Sequence, residues 1–314
     1  MSAFPHGPVA APEGPAGGRS YRITHRTDYR YSDVVTSSYG RGFLTPRDSA
    51  RQRCLTYHLD IDPPPADQST SRDAYGNISS YFHVTNRHRE LSVTSSSVVE
   101  VDPPPADLYR TGSAVAPWEI ARPTGLAGAL AVEFTLDLQP PEITDAVREY
   151  AAPSFESGRP LIEVLADLNR RIFNDFTYRS GSTTVSTQVA EVLAAREGVC
   201  QDFARLAIAC LRANGLAASY VSGYLATDPP PGKERMFGVD ATHAWAAVWT
   251  PQNHWLALDP TNDQLVDERY IVVGWGRDYA DVPPLRGIIY TDSESSVIDV
   301  SVDVAPFEGG ILRA

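Results

Sequence analysis

The chain has 314 residues, of which 42% are hydrophobic and 21% are charged, and its net charge is −12. At about 150 residues per domain, this length suggests two globular domains. The composition excludes a disordered chain, a collagen-like fibre and a coiled coil, and no apolar run approaches the roughly 18 residues that a membrane span needs. Because an acidic chain binds phosphate backbones and anionic lipids poorly, we expect neither nucleic acid nor a membrane as a partner.

The first 19 residues are rich in proline, glycine and alanine and lack the basic and apolar regions of a signal peptide, so we expect a disordered leader over residues 1–19. The three cysteines, Cys54, Cys200 and Cys210, are too few for a disulfide scaffold, and their spacing fits no zinc site. These features predict a cytoplasmic protein with no bound metal.

Residues 20–110 alternate between apolar and polar side chains, which predicts antiparallel strands with one buried and one solvated face. The alternation is clear at Ile23, His25, Thr27, Tyr29 and Tyr31. Turn-forming sequences separate such runs, and a triple proline at residues 103–105 leads into a linker over residues 111–140. We expect this N-terminal antiparallel β-domain to be a small sandwich or an open barrel.

From residue 141 the hydrophobic period changes to 3.6, which predicts helices, and strands follow them. Helices first and strands afterwards indicate an α+β second domain over residues 141–290, with a C-terminal tail over residues 291–314. The third helix is expected to have Thr187 as its N-cap, and residues 228–238 are expected to form a loop. The predicted helices and strands cover residues 143–150, 161–172, 189–196, 200–213, 218–225, 241–249, 255–259 and 271–273.

Cys200 stands at the predicted start of the fourth helix, directly after Gly198 and Val199. The positive end of the helix dipole stabilises a thiolate there, and the thiolate is the reactive form of cysteine. Free cysteine is more often a small buried hydrophobe, and for Cys54 and Cys210 we prefer that interpretation. Cys200 is therefore the candidate nucleophile.

A nucleophilic thiol needs a base, and His243 and Asp259 lie on the two strands of the predicted hairpin. An isolated histidine in a strand is more often structural than catalytic. If the hairpin loop is centred near Gln252, however, Asp259 lies opposite or diagonal to His243, roughly 5–8 Å away between Cβ atoms. A carboxylate at that place can orient the imidazole and stabilise its protonated form.

With these residues identified, the sequence resembles the bacterial two-domain members of the transglutaminase-like superfamily, over about residues 21–290. The resemblance implies a papain-like α+β core and a catalytic triad at Cys200, His243 and Asp259, with no cofactor and no metal. The motifs that carry it are residues 198–203 (GVCQDF), 220–224 (YVSGY), 242–245 (THAW), 259–262 (DPTN) and 276–284 (GRDYADVPP).

Two departures from the family pattern concern the site. Arg205 stands where these bacterial members often have histidine, and its charge could alter the local field. Animal-type transglutaminases place a tryptophan upstream of the nucleophile as an oxyanion donor, but no tryptophan lies between Trp118 and His243. The oxyanion hole must then use the Cys200 backbone N–H and a second donor, for which Tyr178 is the candidate. Packing of Tyr178 on the core is an equally good explanation.

Other residues are weaker candidates for substrate binding. Gln201 lies beside the nucleophile, and Asp278 and Tyr279 could line the cleft, although turn chemistry explains them almost as well. Trp245 could wall the cleft or belong to an aromatic core. Asp202 is expected to help start the helix. The acidic group at Asp263, Asp267 and Glu268 does not form an EF-hand loop, so no calcium dependence is expected.

These observations predict thiol-dependent acyl transfer at the amide bond of a peptide, protein or other amide substrate, with hydrolysis favoured over transfer to amines. One alternative is protein cross-linking, as in a protein-glutamine gamma-glutamyltransferase. Another is a non-enzymatic peptide-binding scaffold, against which the complete triad argues. Nucleic-acid binding through the arginines of residues 22–30 is disfavoured, because these arginines alternate with apolar residues as on a solvated sheet face.

Overall fold

The structure is a computed structural model that describes residues 17–126, 128–227 and 242–307. The chain divides into two compact units, each built from separate stretches of sequence. We call residues 104–219 and 245–267 the helical unit, and residues 18–103, 220–244 and 268–314 the sheet unit. The predicted loop at residues 228–238 lies outside the described residues.

The helices and strands follow the order expected of an α+β protein. They are β1 (Arg19–Gly42), β2 (Gln52–Asp62), β3 (Asp67–Arg72), β4 (Ile78–Val84), β5 (His88–Val101), α1 (Asp145–Ala151), α2 (Leu161–Asp175), β6 (Thr177–Tyr178), α3 (Val189–Ala195), β7 (Glu197–Gly198), α4 (Cys200–Ala213), β8 (Ala218–Leu225), β9 (Thr242–Trp249), β10 (Trp255–Asp259), β11 (Gln264–Leu265), β12 (Tyr270–Gly276), β13 (Arg286–Thr291) and β14 (Ser296–Pro306). None of the helices among the described residues is long and apolar enough to cross a membrane.

The sheet unit contains a curled antiparallel sheet, a half-barrel in the order β2-β5-β1-β4-β3, with β13 and β14 also paired to β1. The first half of β1 pairs with β5 and β14, and its second half pairs with β4 and β13. The register shifts between Arg30 and Val35, where β1 changes partners. The sequence prediction of an antiparallel β-domain is confirmed in its open-barrel form, and residues 296–306 of the predicted tail form a strand of this sheet.

The predicted alternation in β1 is present, because Tyr21, Ile23 and Tyr31 are buried whereas the arginines between them face solvent. Close packing also requires a glycine at position 40, because an added Cβ would lie 2.0 Å from the Phe82 ring. The core of the half-barrel is apolar and consists of Tyr31, Val35, Leu44, Ile61, Phe82, Val84, Leu91 and Val93.

A buried histidine makes the stability of the sheet unit depend on pH. His25 is 2% exposed, and its Nδ1 lies 3.0 Å from the Tyr224 hydroxyl. Burial lowers the pKa of His25 from 6.5 to about 4. Between pH 6.5 and 4 the unfolded chain binds a proton that the folded chain does not, so stability falls as the pH falls. We expect His25 to account for a loss of about 3 kcal/mol across this window, complete near pH 4.

The measurement is urea unfolding of the wild type and of His25→Gln at pH 7 and at pH 4.5. The variant lacks the titrating group, so its unfolding free energy should fall less than that of the wild type over the same interval. Equal losses in both proteins would contradict the prediction, because other carboxylates titrate alike in both.

The four α-helices found among the described residues all lie in the helical unit, close to the predicted bounds. α1 is capped by Thr144, whose hydroxyl accepts the Val147 N–H at 3.3 Å. The predicted cap of α3 is wrong: Gln188 occupies the N-cap position, because the Thr187 hydroxyl instead accepts the Thr184 N–H at 2.9 Å. Residues 111–140, predicted as a linker, contain three short 3-10 helices within this unit and bury Trp118 and Phe134.

The predicted hairpin is present. β9 pairs with β10 antiparallel, from Trp249 opposite Trp255 to Ala246 opposite Leu258, and β10 continues into a pairing with β11. In the sheet unit, β8 pairs with β12.

Candidate active site

Cys200 is the first residue of α4 and is half-buried. The preceding residue, Val199, is extended, and its N–H donates to Oδ2 of Asp202 at 2.8 Å. Gly198 makes room for this carboxylate, because an added Cβ would lie 2.9 Å from Cβ and Oδ2 of Asp202. The GVCQD sequence therefore folds as a tight turn that ends with a cysteine in the first turn of a helix, and Asp202 satisfies an N–H at the helix start as predicted.

Tyr178 is tied through its backbone to the same turn. β6 and β7 form a short parallel ladder with Tyr178 beside Gly198, and the Arg179 N–H donates to the Gly198 carbonyl at 2.9 Å. The Tyr178 side chain is 53% exposed. Partial burial and the charge of the Cys200 thiolate both raise the pKa of Tyr178. The Tyr178 hydroxyl is thus within electrostatic range of the candidate nucleophile.

The other two thiols are in environments that disfavour ionisation. Burial and the neighbouring Asp48 raise the pKa of Cys54 to about 11. Cys210 is completely buried in α4, and burial raises its pKa to about 12. Both therefore remain protonated near neutral pH.

Asp259 ends β10 in the helical unit and is completely buried. Its Oδ1 accepts the Thr261 N–H at 2.9 Å, and its Oδ2 accepts from Nδ2 of Asn262 at 2.7 Å. These bonds hold the carboxylate in a fixed orientation after the strand.

His243 is the second residue of β9 and belongs to the sheet unit. It is 9% exposed, and its ring centroid lies 6.1 Å from that of Tyr270. A buried imidazole with an aromatic neighbour has a restricted set of orientations, as both a catalytic base and a structural histidine require.

The weaker substrate candidates differ in exposure. Trp245 is 1% exposed, which favours the core-packing alternative over a role as a cleft wall, whereas Gln201 is half-buried. In the sheet unit, Asp278 precedes a short 3-10 helix, Tyr279–Asp281, and Tyr279 packs edge-on against Tyr220 with ring centroids 6.3 Å apart. Substrate binding by these residues stays a prediction.

Arg205 has an ion-pair partner. Its Nη2 lies 2.6 Å from Oε1 of Glu142, and its Nη1 donates to the Thr187 carbonyl at 2.6 Å. The other Glu142 oxygen accepts the Val189 N–H at the start of α3. Both side chains are nearly buried, so the Glu142 carboxylate neutralises the Arg205 charge locally. The ion pair also joins α4 to the start of α3.

Among the described residues, no group of three or more His, Cys, Asp or Glu side chains could hold a metal ion. In the acidic group at Asp263, Asp267 and Glu268, Asp263 pairs with Arg170 at 3.3 Å, and Glu268 pairs with Arg19 at 3.4 Å.

Sequence reasoning missed Thr183, whose hydroxyl donates to Oδ2 of Asp202 at 2.6 Å. The available signal was the hydroxyl-rich sequence at residues 180–187 (SGSTTVST), which has no apolar period and lies shortly before α4. It also missed Glu142, which looks like an ordinary surface acid in the sequence.

Two family models match this chain. Residues 21–100 match the bacterial transglutaminase-like N-terminal region, and residues 148–260 match the transglutaminase-like superfamily core. The chain therefore belongs to the transglutaminase-like superfamily, in the form that carries the bacterial N-terminal region.

The relatives extend over nearly the whole chain. An uncharacterized protein of Mycobacterium tuberculosis is 77% identical over 95% of this chain and 96% of its own length. An uncharacterized protein of Mycobacterium leprae is 34% identical over 90% of this chain and 97% of its own. A protein-glutamine gamma-glutamyltransferase of Pseudomonas aeruginosa is 36% identical over 24% of this chain and 11% of its own length.

A crystal structure from Cytophaga hutchinsonii, provisionally described as a cysteine protease, has the same fold. It aligns with a TM-score of 0.68 and 19% identity over 94% of this chain and 95% of its own. The predicted papain-like α+β core is thereby confirmed at the level of the fold.

Proposed function

We propose that this protein is a cysteine enzyme that acts on amide bonds through a thioester on Cys200. The fold is that of a family of cysteine enzymes, which supports the general class. The observation that carries the proposal is the turn at Cys200, where the thiol belongs to the first residue of a helix, Asp202 anchors the preceding N–H, and the thiolate charge acts on Tyr178. The other two cysteines lack such surroundings.

In the proposed reaction, His243 accepts the thiol proton and Cys200 attacks the amide carbonyl carbon. The tetrahedral intermediate collapses when His243 gives that proton to the leaving amine, and the thioester remains. Water then attacks the thioester, with His243 as the base, and the carboxylic acid leaves as the thiol is restored. Asp259 orients His243 and stabilises its protonated form.

The hairpin register supports this pairing of roles. β9 pairs with β10 from Trp249 opposite Trp255 to Ala246 opposite Leu258, so the strands that carry His243 and Asp259 form the hairpin on which the proposed pairing of roles is based.

Two donors are proposed for the oxyanion. The Cys200 backbone N–H is free of an intrahelical acceptor, as in any first helical residue. The Tyr178 hydroxyl is the second, and its backbone pairing beside Gly198 supports that assignment. Because burial and the thiolate charge raise its pKa, Tyr178 stays protonated and able to donate at neutral pH.

Selective alkylation tests the assignment of the nucleophile. Brief treatment with iodoacetamide at neutral pH should modify Cys200 much faster than Cys54 or Cys210. A thiol with a pKa of about 11, as at Cys54, is ionised in roughly one molecule in 10⁴ at pH 7. Peptide mapping by mass spectrometry gives the three rates. Faster labelling of Cys54 or Cys210 would rule out the proposal, and an inert Cys200 would favour the peptide-binding scaffold.

We further propose that hydrolysis outweighs transfer to amines, because a transferase must admit an amine while excluding water, whereas hydrolysis needs only water. The short match to the Pseudomonas aeruginosa gamma-glutamyltransferase supports the competing possibility of cross-linking. Localisation in the cytoplasm stays a prediction.

Competition between water and an amine separates the two reactions. An accepted amide substrate is incubated with a primary amine at millimolar concentration, and the amine adduct and the free acid are quantified by mass spectrometry. We expect the free acid to dominate. An adduct-to-acid ratio well above one, at an amine concentration far below that of water, would make the protein a transferase.

A further inference from the structure

Asp202 connects the nucleophile turn to a neighbouring loop through a single oxygen. The side chain is 1% exposed, and its Oδ2 accepts both the Val199 N–H, at 2.8 Å, and the Thr183 hydroxyl, at 2.6 Å. Val199 directly precedes Cys200, and Thr183 belongs to residues 179–188, which we call the hydroxyl loop. One carboxylate oxygen therefore fixes the turn and the loop against each other.

The buried Asp202 carboxylate relies on the two hydrogen bonds to Oδ2 to offset the cost of its burial. Oδ1 of Asp202 is buried, and within the described parts of the chain it has no hydrogen-bond partner. A buried carboxylate is costly unless donors compensate it, so the bonds to Oδ2 are the compensation that the protein supplies. The charge of Asp202 also reaches Tyr178, where it contributes to raising the pKa.

The hydroxyl loop is ordered by its own polar groups. At its start, the Arg179 N–H bonds to Gly198, and the Ser182 hydroxyl donates to the Arg179 carbonyl at 2.8 Å. Towards its end, the Thr184 N–H donates to the Thr187 hydroxyl. Thr183 is the member whose hydroxyl reaches α4, so loss of that hydroxyl leaves the rest of the loop's own bonds in place.

We propose that Thr183 and Asp202 are positioning residues for the nucleophile. The Thr183 hydroxyl offsets the Asp202 charge and, through Asp202 and Val199, holds Cys200 in a reactive position. The inference rests on the proposed function of Cys200 as the nucleophile. In this proposal, the hydroxyl loop keeps the Cys200 thiol reactive.

The test compares the rate at which iodoacetamide modifies Cys200 in the full-length protein at one neutral pH. Thr183→Val removes the hydroxyl with little change of shape and should lower the rate about tenfold, near the lower end of what one hydrogen bond to a charged group contributes. Thr183→Ser keeps the hydroxyl and should restore a rate within about twofold of the wild type. Thr184→Val is the matched control, because the Thr184 hydroxyl contacts the Ser186 and Thr187 hydroxyls of the same loop.

The thermal midpoint of every variant is measured alongside, and Thr183→Ala serves as a second deletion should Thr183→Val fold poorly. A wild-type rate in a folded Thr183→Val or Thr183→Ala protein would overturn the inference, as would an equal loss in Thr184→Val. Failure of the proposed function gives a different result, since the wild type would then label Cys54 or Cys210 before Cys200.

Discussion

Replacing Cys200 or His243 with alanine should abolish turnover of any amide that the wild-type protein cleaves. In the proposed mechanism the two residues act in one proton transfer, so each single loss should cost nearly the full catalytic effect, roughly 10⁶-fold in kcat. Asp259→Asn should cost less, roughly 10⁴-fold, because the base remains but its orientation and protonated form lose support. Steady-state kinetics with mass detection of the acid product measures all three.

His254 provides the matched control for His243. It lies in the loop between β9 and β10, its side chain is exposed, and its carbonyl accepts the Thr250 N–H, so His254→Ala keeps the backbone contact. This variant should retain the wild-type kcat. Near-normal turnover by His243→Ala, on a substrate whose cleavage needs Cys200, would refute the triad. Circular dichroism establishes that each variant is folded.

Removal of Glu142 should destabilise the protein by about 3–5 kcal/mol, because it leaves the nearly buried guanidinium of Arg205 without its ion-pair partner. Glu142→Ala also deprives the Val189 N–H at the start of α3 of its acceptor. Urea unfolding followed by circular dichroism gives the change in unfolding free energy.

Two variants sharpen this measurement. Glu197→Ala breaks the 2.9 Å pair with Arg179, whose side chain is 63% exposed, and should cost no more than about 1 kcal/mol. The double variant Glu142→Leu with Arg205→Met removes both charges and should be more stable than Glu142→Ala. A cost for Glu142→Ala as small as that for Glu197→Ala would show that the buried pair does not hold α4 to α3.

Local patterns in the sequence determined most of the elements. Apolar residues recur with a period of two in β1 and of 3.6 in α2, and these are the side chains that are buried. Their burial stabilises both elements. α4 runs over Cys200–Ala213 as predicted, because its start and its end are set by neighbouring residues in the chain. The motif around Cys200 was equally local, which is why Cys200 could be chosen from the sequence as the candidate nucleophile.

Only the tertiary structure decided the pairings between distant segments. β14 lies in a segment without a clear pattern, since most of its first residues are exposed, and its place follows from a register with β1, whose paired residues lie 265 to 285 positions earlier. Glu142 gave no signal and Thr183 only that of a hydroxyl-rich segment, because what a carboxylate or a hydroxyl does depends on a partner that is remote in sequence. The sequence identified Cys200 as the candidate thiol, whereas only the fold decided that Asp202 and Thr183 bond to each other beside the Cys200 turn. A hydrogen bond with a length of 2.6 Å forms only when the two segments pack together.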